Sequence, residues 1–327
     1  MTRGNIWIRW IVALGALAFV SGACTPASRA KGPYPVAATF GEGLLRALAD
    51  LHGPPLGAND WTCKPSSAHT RPVILAHGTL GNMADSWQAI SPSLANEGYC
   101  VFALNYGARP DDLLDGTAEI SVSAMRDFGP FVDLVLAATG AKQVDVIGHS
   151  QGALMPRYWM RHGESVTADG TPKIARFIGV GPPSHGTTFY GLAALVPEHT
   201  PAWDSLSSWF GACGEQVTGS SFIRDLIDPT LHPGDRFAGE LQPGVSYTML
   251  MTKYDNVVTP PSNGAILLPG VSNVVVQDHC AADHADHLSL VYDPVAIGII
   301  ENVLDEHRAE RPPCVGTEPV FGIDWTR

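Results

Sequence analysis

The pentapeptide Gly148-His149-Ser150-Gln151-Gly152 stands between the apolar run Val144-Asp145-Val146-Ile147 and residues 153–160, a stretch suited to starting a helix. A G-x-S-x-G on a strand-to-helix turn is the nucleophile elbow of a serine hydrolase, which lifts the serine oxygen above the end of a sheet. So sharp a turn strains the backbone and crowds the segments beside it, and two glycines remove the Cβ atoms that would collide. Ser150 is therefore the candidate nucleophile.

The surrounding pattern supplies the sheet that an elbow needs. Short apolar runs at residues 72–76, 99–104, 144–147, 174–180, 245–251 and 271–277 read as strands. Helical stretches at 116–138 and from about 294 to 306 alternate with them. This alternation predicts an α/β fold whose central sheet is mostly parallel and covered by helices on both faces. Ligands of such sheets bind beyond the carboxyl ends of the strands, where Ser150 stands. A chain of 327 residues, 45% of them hydrophobic, can bury the core of one such domain, expected over 35–315 with a tail at 316–327. The long stretch 187–240 between two strands holds Phe189, Tyr190, Leu192, Leu195, Trp203, Leu206, Trp209 and Phe210. It reads either as a lid or wall of an acyl pocket or as an ordinary capping insertion.

A hydrolytic serine needs an acid and a base, which in this class follow the nucleophile in the order Asp or Glu, then His. Asp255 leaves the end of the run Met249-Leu250-Met251-Thr252-Lys253-Tyr254 and is the candidate acid; the alternative is a turn aspartate that binds local amides. The base is sought in Asp278-His279-Cys280-Ala281-Ala282-Asp283-His284-Ala285-Asp286-His287, a segment dense in both histidine and aspartate. His287, nearest the closing helix, is preferred, with His279 and His284 read as exposed loop residues. Neither the spacing of these histidines nor any C-x-x-C pair supports a metal site, and no cofactor is called for. The oxyanion donors are the backbone amides of Gln151, next to the nucleophile, and Thr79, in the loop His77-Gly78-Thr79 after the first strand. The Thr79 hydroxyl is a candidate third donor, and His77 reads as structural.

The N-terminus reads as an export address over residues 1–23: basic Arg3 and Arg9, an apolar run from Trp10 to Val20, then small residues. Cys24 stands where a lipoprotein carries its acyl group, so membrane attachment through Cys24 and plain secretion both remain open. In an oxidising compartment the remaining cysteines pair. Cys63 and Cys100 flank neighbouring strands and form the first expected pair. Cys213–Cys280 is the second, with Cys314 competing for either. A net charge of −12 makes nucleic acid a poor partner.

Taken together, several segments resemble the exported actinobacterial esterases and lipases of the class 2 triacylglycerol lipase family. They are Asp60-Trp61-Thr62-Cys63-Lys64-Pro65, His77-Gly78-Thr79 with Gly81-Asn82-Met83-Ala84-Asp85-Ser86-Trp87, Gly98 to Gly107, the elbow, Ser184-His185-Gly186-Thr187-Thr188, Tyr254 to Pro260 and His287 to Pro294. The likeness covers about residues 35–315 and departs at Cys213, where relatives often carry two cysteines close together. It implies an α/β-hydrolase fold, secretion, a Ser150/Asp255/His287 triad, no cofactor, and hydrolysis of acyl esters such as glycerides. An acyltransferase that passes the acyl group to a cell-envelope alcohol with the same triad, and a non-catalytic envelope lipoprotein, are the alternatives.

Overall fold

Burial explains the strands. In the first, Val73, Ile74, Leu75 and Ala76 are all buried, so successive side chains enter opposite layers of core, as a strand covered on both faces requires. The structure, a computed structural model, describes residues 33–108, 114–191, 200–201, 210–305 and 307–320. Its strands are β1 (Val73–Ala76), β2 (Val101–Leu104), β3 (Val144–His149), β4 (Ile174–Val180), β5 (Ser246–Met251) and β6 (Val271–Val275). They form one six-stranded sheet in the order β2-β1-β3-β4-β5-β6. Every neighbouring pair is parallel. The order reverses beside β1 and β3, and this places the elbow at the centre of the sheet.

The longer helices are α1 (Phe40–Ala47), α2 (Ile90–Asn96), α3 (Gly129–Thr139), α4 (Met155–His162), α5 (Gly211–Glu215), α6 (Ser221–Ile227) and α7 (Pro294–Leu304). Ile90 and Leu94 of α2 join Val295 and Ile299 of α7 against Val73, Leu75, Val101 and Ile178 on one face of the sheet. Val132 of α3, Met155 and Trp159 of α4 and Ile223 of α6 meet Ile74, Phe102, Val146 and Phe177 on the other. Two layers of helices thus enclose the parallel sheet, as the sequence pattern predicts. The helical stretch expected at 116–138 starts later, at Ile120, and runs through a π-helical segment, Ala124–Phe128, into α3.

Cys63 pairs with Cys100, as expected. The second bridge is Cys280–Cys314, and the expected Cys213–Cys280 pairing is corrected. Cys280 belongs to the core layer of α2 and α7, while Ala212, next to Cys213 on α5, belongs to the opposite layer. Cys213 borders the cavity beside Ser150. The chain returning after α7 brings Cys314 to Cys280 instead, held by His284 N–H donating to Thr317 O and Thr317 N–H to Asp283 Oδ2. Cys213 is a free thiol. Two disulfides fit an exported, oxidising setting. Among the described residues no helix is long and apolar enough to cross a membrane. The export segment at 1–23, Cys24, and Leu192, Leu195, Trp203, Leu206 and Trp209 of the 187–240 stretch lie outside the described residues, as does the tail beyond residue 320.

Candidate active site

The elbow turns within one residue. β3 ends at His149, and a 3-10 turn, Ser150–Ala153, leads into α4. Ser150 takes φ +54°, a left-handed conformation that L side chains rarely adopt. The two flanking glycines are required by contact. A Cβ on Gly148 would lie 2.1 Å from Gly152 O, and one on Gly152 would lie 2.0 Å from Ala76 O. The turn therefore packs backbone against backbone, on itself and on the end of β1, and any side chain at either position would force it open.

Ser150, Asp255 and His287 are 4%, 5% and 2% exposed, and the sheet brings all three to the carboxyl ends of its strands. His287 Nδ1–H donates to Asp255 Oδ2 at 2.9 Å. Asp255 Oδ1 accepts from the amides of Val257 at 2.9 Å and Val258 at 2.7 Å. Asp255 thus turns one oxygen to His287 and the other to the local amides. Gly181 follows β4 with φ +54°, and a Cβ there would lie 3.2 Å from His287 Nδ1, so the histidine rests directly on the backbone. The neighbouring loop histidines differ. His279 and His284 are exposed, and the aspartates around them bind loop groups: Asp283 Oδ1 accepts from Ala285 N–H and Asp286 Oδ1 from Ser289 N–H and Oγ–H.

His149 was a missed residue. Its Nε2–H donates to the carbonyl oxygen of His287 at 3.0 Å, and the two rings lie 4.8 Å apart. Burial, reinforced by the adjacent His287 ring, pulls its pKa down to about 3 and keeps the imidazole neutral. It fixes the backbone of the candidate base. The signal lay inside the elbow pentapeptide, where the residue before the serine is the last of a buried strand.

The oxyanion loop is held from behind. His77 Nδ1–H donates to Gly78 O at 2.8 Å, its Nε2 accepts from Tyr106 N–H at 3.3 Å, and its ring stacks on Tyr106 with centroids 4.2 Å apart. Burial lowers its pKa to about 4, and the imidazole stays neutral. Thr79 N–H meets no acceptor among the described residues, and Gln151 N–H lies in the first turn of its 3-10 segment, where amides lack an internal partner. Both are available to a ligand. The Thr79 hydroxyl is not a free third donor as it stands, because it donates to Gln151 Oε1 at 2.6 Å. Gln216, a second missed residue, donates from Nε2 to Thr79 Oγ1 at 3.0 Å and to Ala212 O at 3.0 Å. Nothing in the sequence links residue 216 to residue 79.

Ser150, His149, His287, Gly78 and Thr79 line a cavity of about 370 Å³, together with Gly81, the polar Asp85, Ser86 and Gln216, and the apolar wall of Phe40, Leu80, Phe189, Phe210, Cys213, Val257, Leu288 and Val291. Its lining is mainly apolar with a few polar groups, the pattern of a site for a mainly hydrocarbon ligand.

A parallel sheet, a strained serine at its centre and a buried His–Asp pair at its carboxyl edge define an α/β hydrolase. The chain belongs to the class 2 lipase family, whose model matches residues 70–237. A triacylglycerol lipase of Pseudarthrobacter phenanthrenivorans is 36% identical over 155 residues, 46% of this chain and 44% of that one. A triacylglycerol lipase of Burkholderia plantarii is also 36% identical over 155 residues, covering 46% of this chain and 39% of its own length. The chain spans less than half the length of these curated relatives. In fold it is similar to the mature lipase BlEst2 of Bacillus licheniformis, with a TM-score of 0.53 at 17% identity over 77% of this chain and 100% of that one.

Proposed function

We infer that the protein is an exported serine carboxylic-ester hydrolase that cleaves acyl esters such as acylglycerols through an acyl-enzyme. Residues 1–23 are then its export signal, 35–315 its catalytic domain and 187–240 a wall of its acyl site. The observation that carries the reading is His287, paired with Asp255 at 2.9 Å, lining the same mainly apolar cavity as a serine in the left-handed region. That both bacterial relatives are triacylglycerol lipases supports acylglycerols as the substrate class.

In this reading His287 Nε2 takes the Ser150 proton as Oγ attacks the ester carbonyl carbon, and Asp255 holds the tautomer and stabilises the imidazolium. The amides of Thr79 and Gln151 receive the oxyanion, each worth about 3 kcal/mol when removed. The tetrahedral adduct collapses, the alcohol leaves with the proton from His287, and the acyl group stays on Ser150. Water, deprotonated by the same histidine, then releases the acid. The chemistry needs no metal or cofactor. Release of p-nitrophenol from esters of graded chain length, by wild type and Ser150→Ala, tests the proposal: activity absent from the folded variant supports it, and equal activity overturns it. Adding a large excess of an acceptor alcohol checks the hydrolase assignment, since transfer outrunning hydrolysis would make the enzyme an acyltransferase.

A further inference from the structure

On the face of the molecule covered by α4 and α6, three side chains from three elements turn their donor atoms to one point. His162 is the last residue of α4, Asp225 lies within α6, and His232 follows the 3-10 turn Pro229–Leu231. His162 Nε2 is 2.6 Å from Asp225 Oδ2, and His232 Nε2 is 3.0 Å from Asp225 Oδ1 and 3.0 Å from the Asp225 carbonyl oxygen, to which it is hydrogen-bonded. One ligand atom from each of the three lies within 4.8 Å of the others. The three positions are 63 and 7 residues apart in sequence, so no motif announces them.

We propose that His162, Asp225 and His232 form a binding site for a divalent transition-metal ion, zinc foremost. Two imidazole nitrogens and one carboxylate match the ligand set of a three-residue zinc site with water in the fourth position. With metal–ligand bonds of about 2.1 Å, tetrahedral ligand atoms stand roughly 3.4 Å apart. The present spacing admits an ion with side-chain movements on the order of 1 Å. The two rings meet edge to face, with centroids 5.5 Å apart and planes at 66°, so their lone pairs approach from different directions, as tetrahedral coordination demands. Tyr158, one turn back on α4, packs its ring 4.3 Å from that of His162 and itself stacks on Phe222 of α6, which orients the first ligand. Side-chain exposures of 28%, 31% and 20% leave a path for the ion and room for water.

The simpler reading of the same atoms is a hydrogen-bonded clasp, in which His162 donates to the Asp225 carboxylate and His232 to the Asp225 backbone carbonyl. A metal ion replaces those two protons with a single doubly charged centre, and the nitrogens that converge are the ones it would take. Its effect is mechanical. His162 ends the helix that leaves the elbow, whereas Asp225 and His232 belong to the long excursion between β4 and β5, so the ion fastens that excursion to the catalytic framework.

The test uses the full chain, stripped with chelator and titrated with zinc chloride alone, with bound metal counted after equilibrium dialysis. Wild type should hold one zinc per chain at about 10 µM free zinc, and the His162→Gln/His232→Gln double variant should bind at least a hundredfold more weakly. Cobalt should give wild type the intense visible bands of a tetrahedral site and leave the double variant with the weak spectrum of the free ion. Saturating zinc should raise the wild-type Tm on the order of 5 °C and leave the variant unmoved. Circular dichroism and ester turnover, preserved in the variant, establish that it is folded; Asp225→Asn serves if the double variant is not. Failure of wild type to retain zinc, or equal retention in the folded variant, overturns the site and leaves the proposed esterase reading untouched.

Discussion

The elbow and the β4–β5 excursion face the same cavity, and they are built by opposite means. At the elbow everything is local: strand, turn and helix are consecutive, and the decisive contacts are backbone atoms meeting where Gly148 and Gly152 have no side chain. The excursion reaches its place through side chains that bond to residues far away. Glu215 accepts from Ile120 N–H, Ser121 N–H and Ser121 Oγ–H, Gln216 holds Thr79, and buried Arg157 pairs with Glu240. Backbone packing tolerates no substitution, whereas a polar tie can be cut singly. The nucleophile is therefore set rigidly, and the wall opposite it is adjustable.

The largest expected effect tests the rigid half. Gly152→Ala places a methyl group 2.0 Å from Ala76 O, so the elbow must open or the chain must unfold. A stability loss above roughly 3 kcal/mol in denaturant titrations, with ester turnover abolished, is expected. A stable, active Gly152→Ala protein would show the contact to be slack.

Cutting a tie should cost less. Glu215→Ala leaves two N–H groups at the start of the helical stretch at Ile120 without their acceptor, for about 2 kcal/mol, with the fold retained. A loss as large as that at the elbow would erase the contrast between the two regions. Gln216→Ala should be milder still. With the Thr79 hydroxyl freed from one partner, kcat for the proposed ester hydrolysis should fall about tenfold with KM nearly unchanged, since an oxyanion donor acts in the transition state. A rise in KM alone would make Gln216 a wall residue rather than a positioning one.

The smallest effect is a slope. His77 and His149 have folded pKa values near 4 and 3, below the ordinary 6.5, because burial disfavours their charged forms. The unfolded chain binds their protons first, so the stability from each is present above pH 6.5 and is lost as pH falls toward the folded value. Asp293 acts in the opposite sense. Burial and the nearby Asp283 raise its pKa to about 7, so its contribution is complete at low pH and is lost as pH rises through 7. Thermal melts of His77→Gln should show an acid-side slope shallower by up to about 1.4 kcal/mol per pH unit between pH 4 and 6.5. An unchanged slope would mean that His77 is not the group being charged.

The same contrast governs what could be read from the chain. The core strands were legible because a run of buried apolar residues is short and contiguous, and the predicted 174–180 matches β4 (Ile174–Val180) end to end. Ser150 was legible because its constraint is carried by adjacent glycines. Asp255 and His287 were placed by chain order, and the structure brings them within a hydrogen bond of one another. The partner of His149 leaves no mark in the sequence, because its bond to the His287 carbonyl joins residues 138 apart. Gln216 and the Cys280–Cys314 bridge had no signal, since which side of the sheet a loop passes is decided by packing and not by spacing.

Ser150 carries the proposed chemistry most directly. In a titration of wild type and Ser150→Ala with a p-nitrophenyl ester at equal folded concentration, wild type should turn over, and the variant should lose on the order of 10⁴-fold or more in kcat/KM while its melting curve is preserved. Turnover by folded Ser150→Ala within about tenfold of wild type would contradict it, because a strained serine at the centre of the sheet would then serve some other purpose.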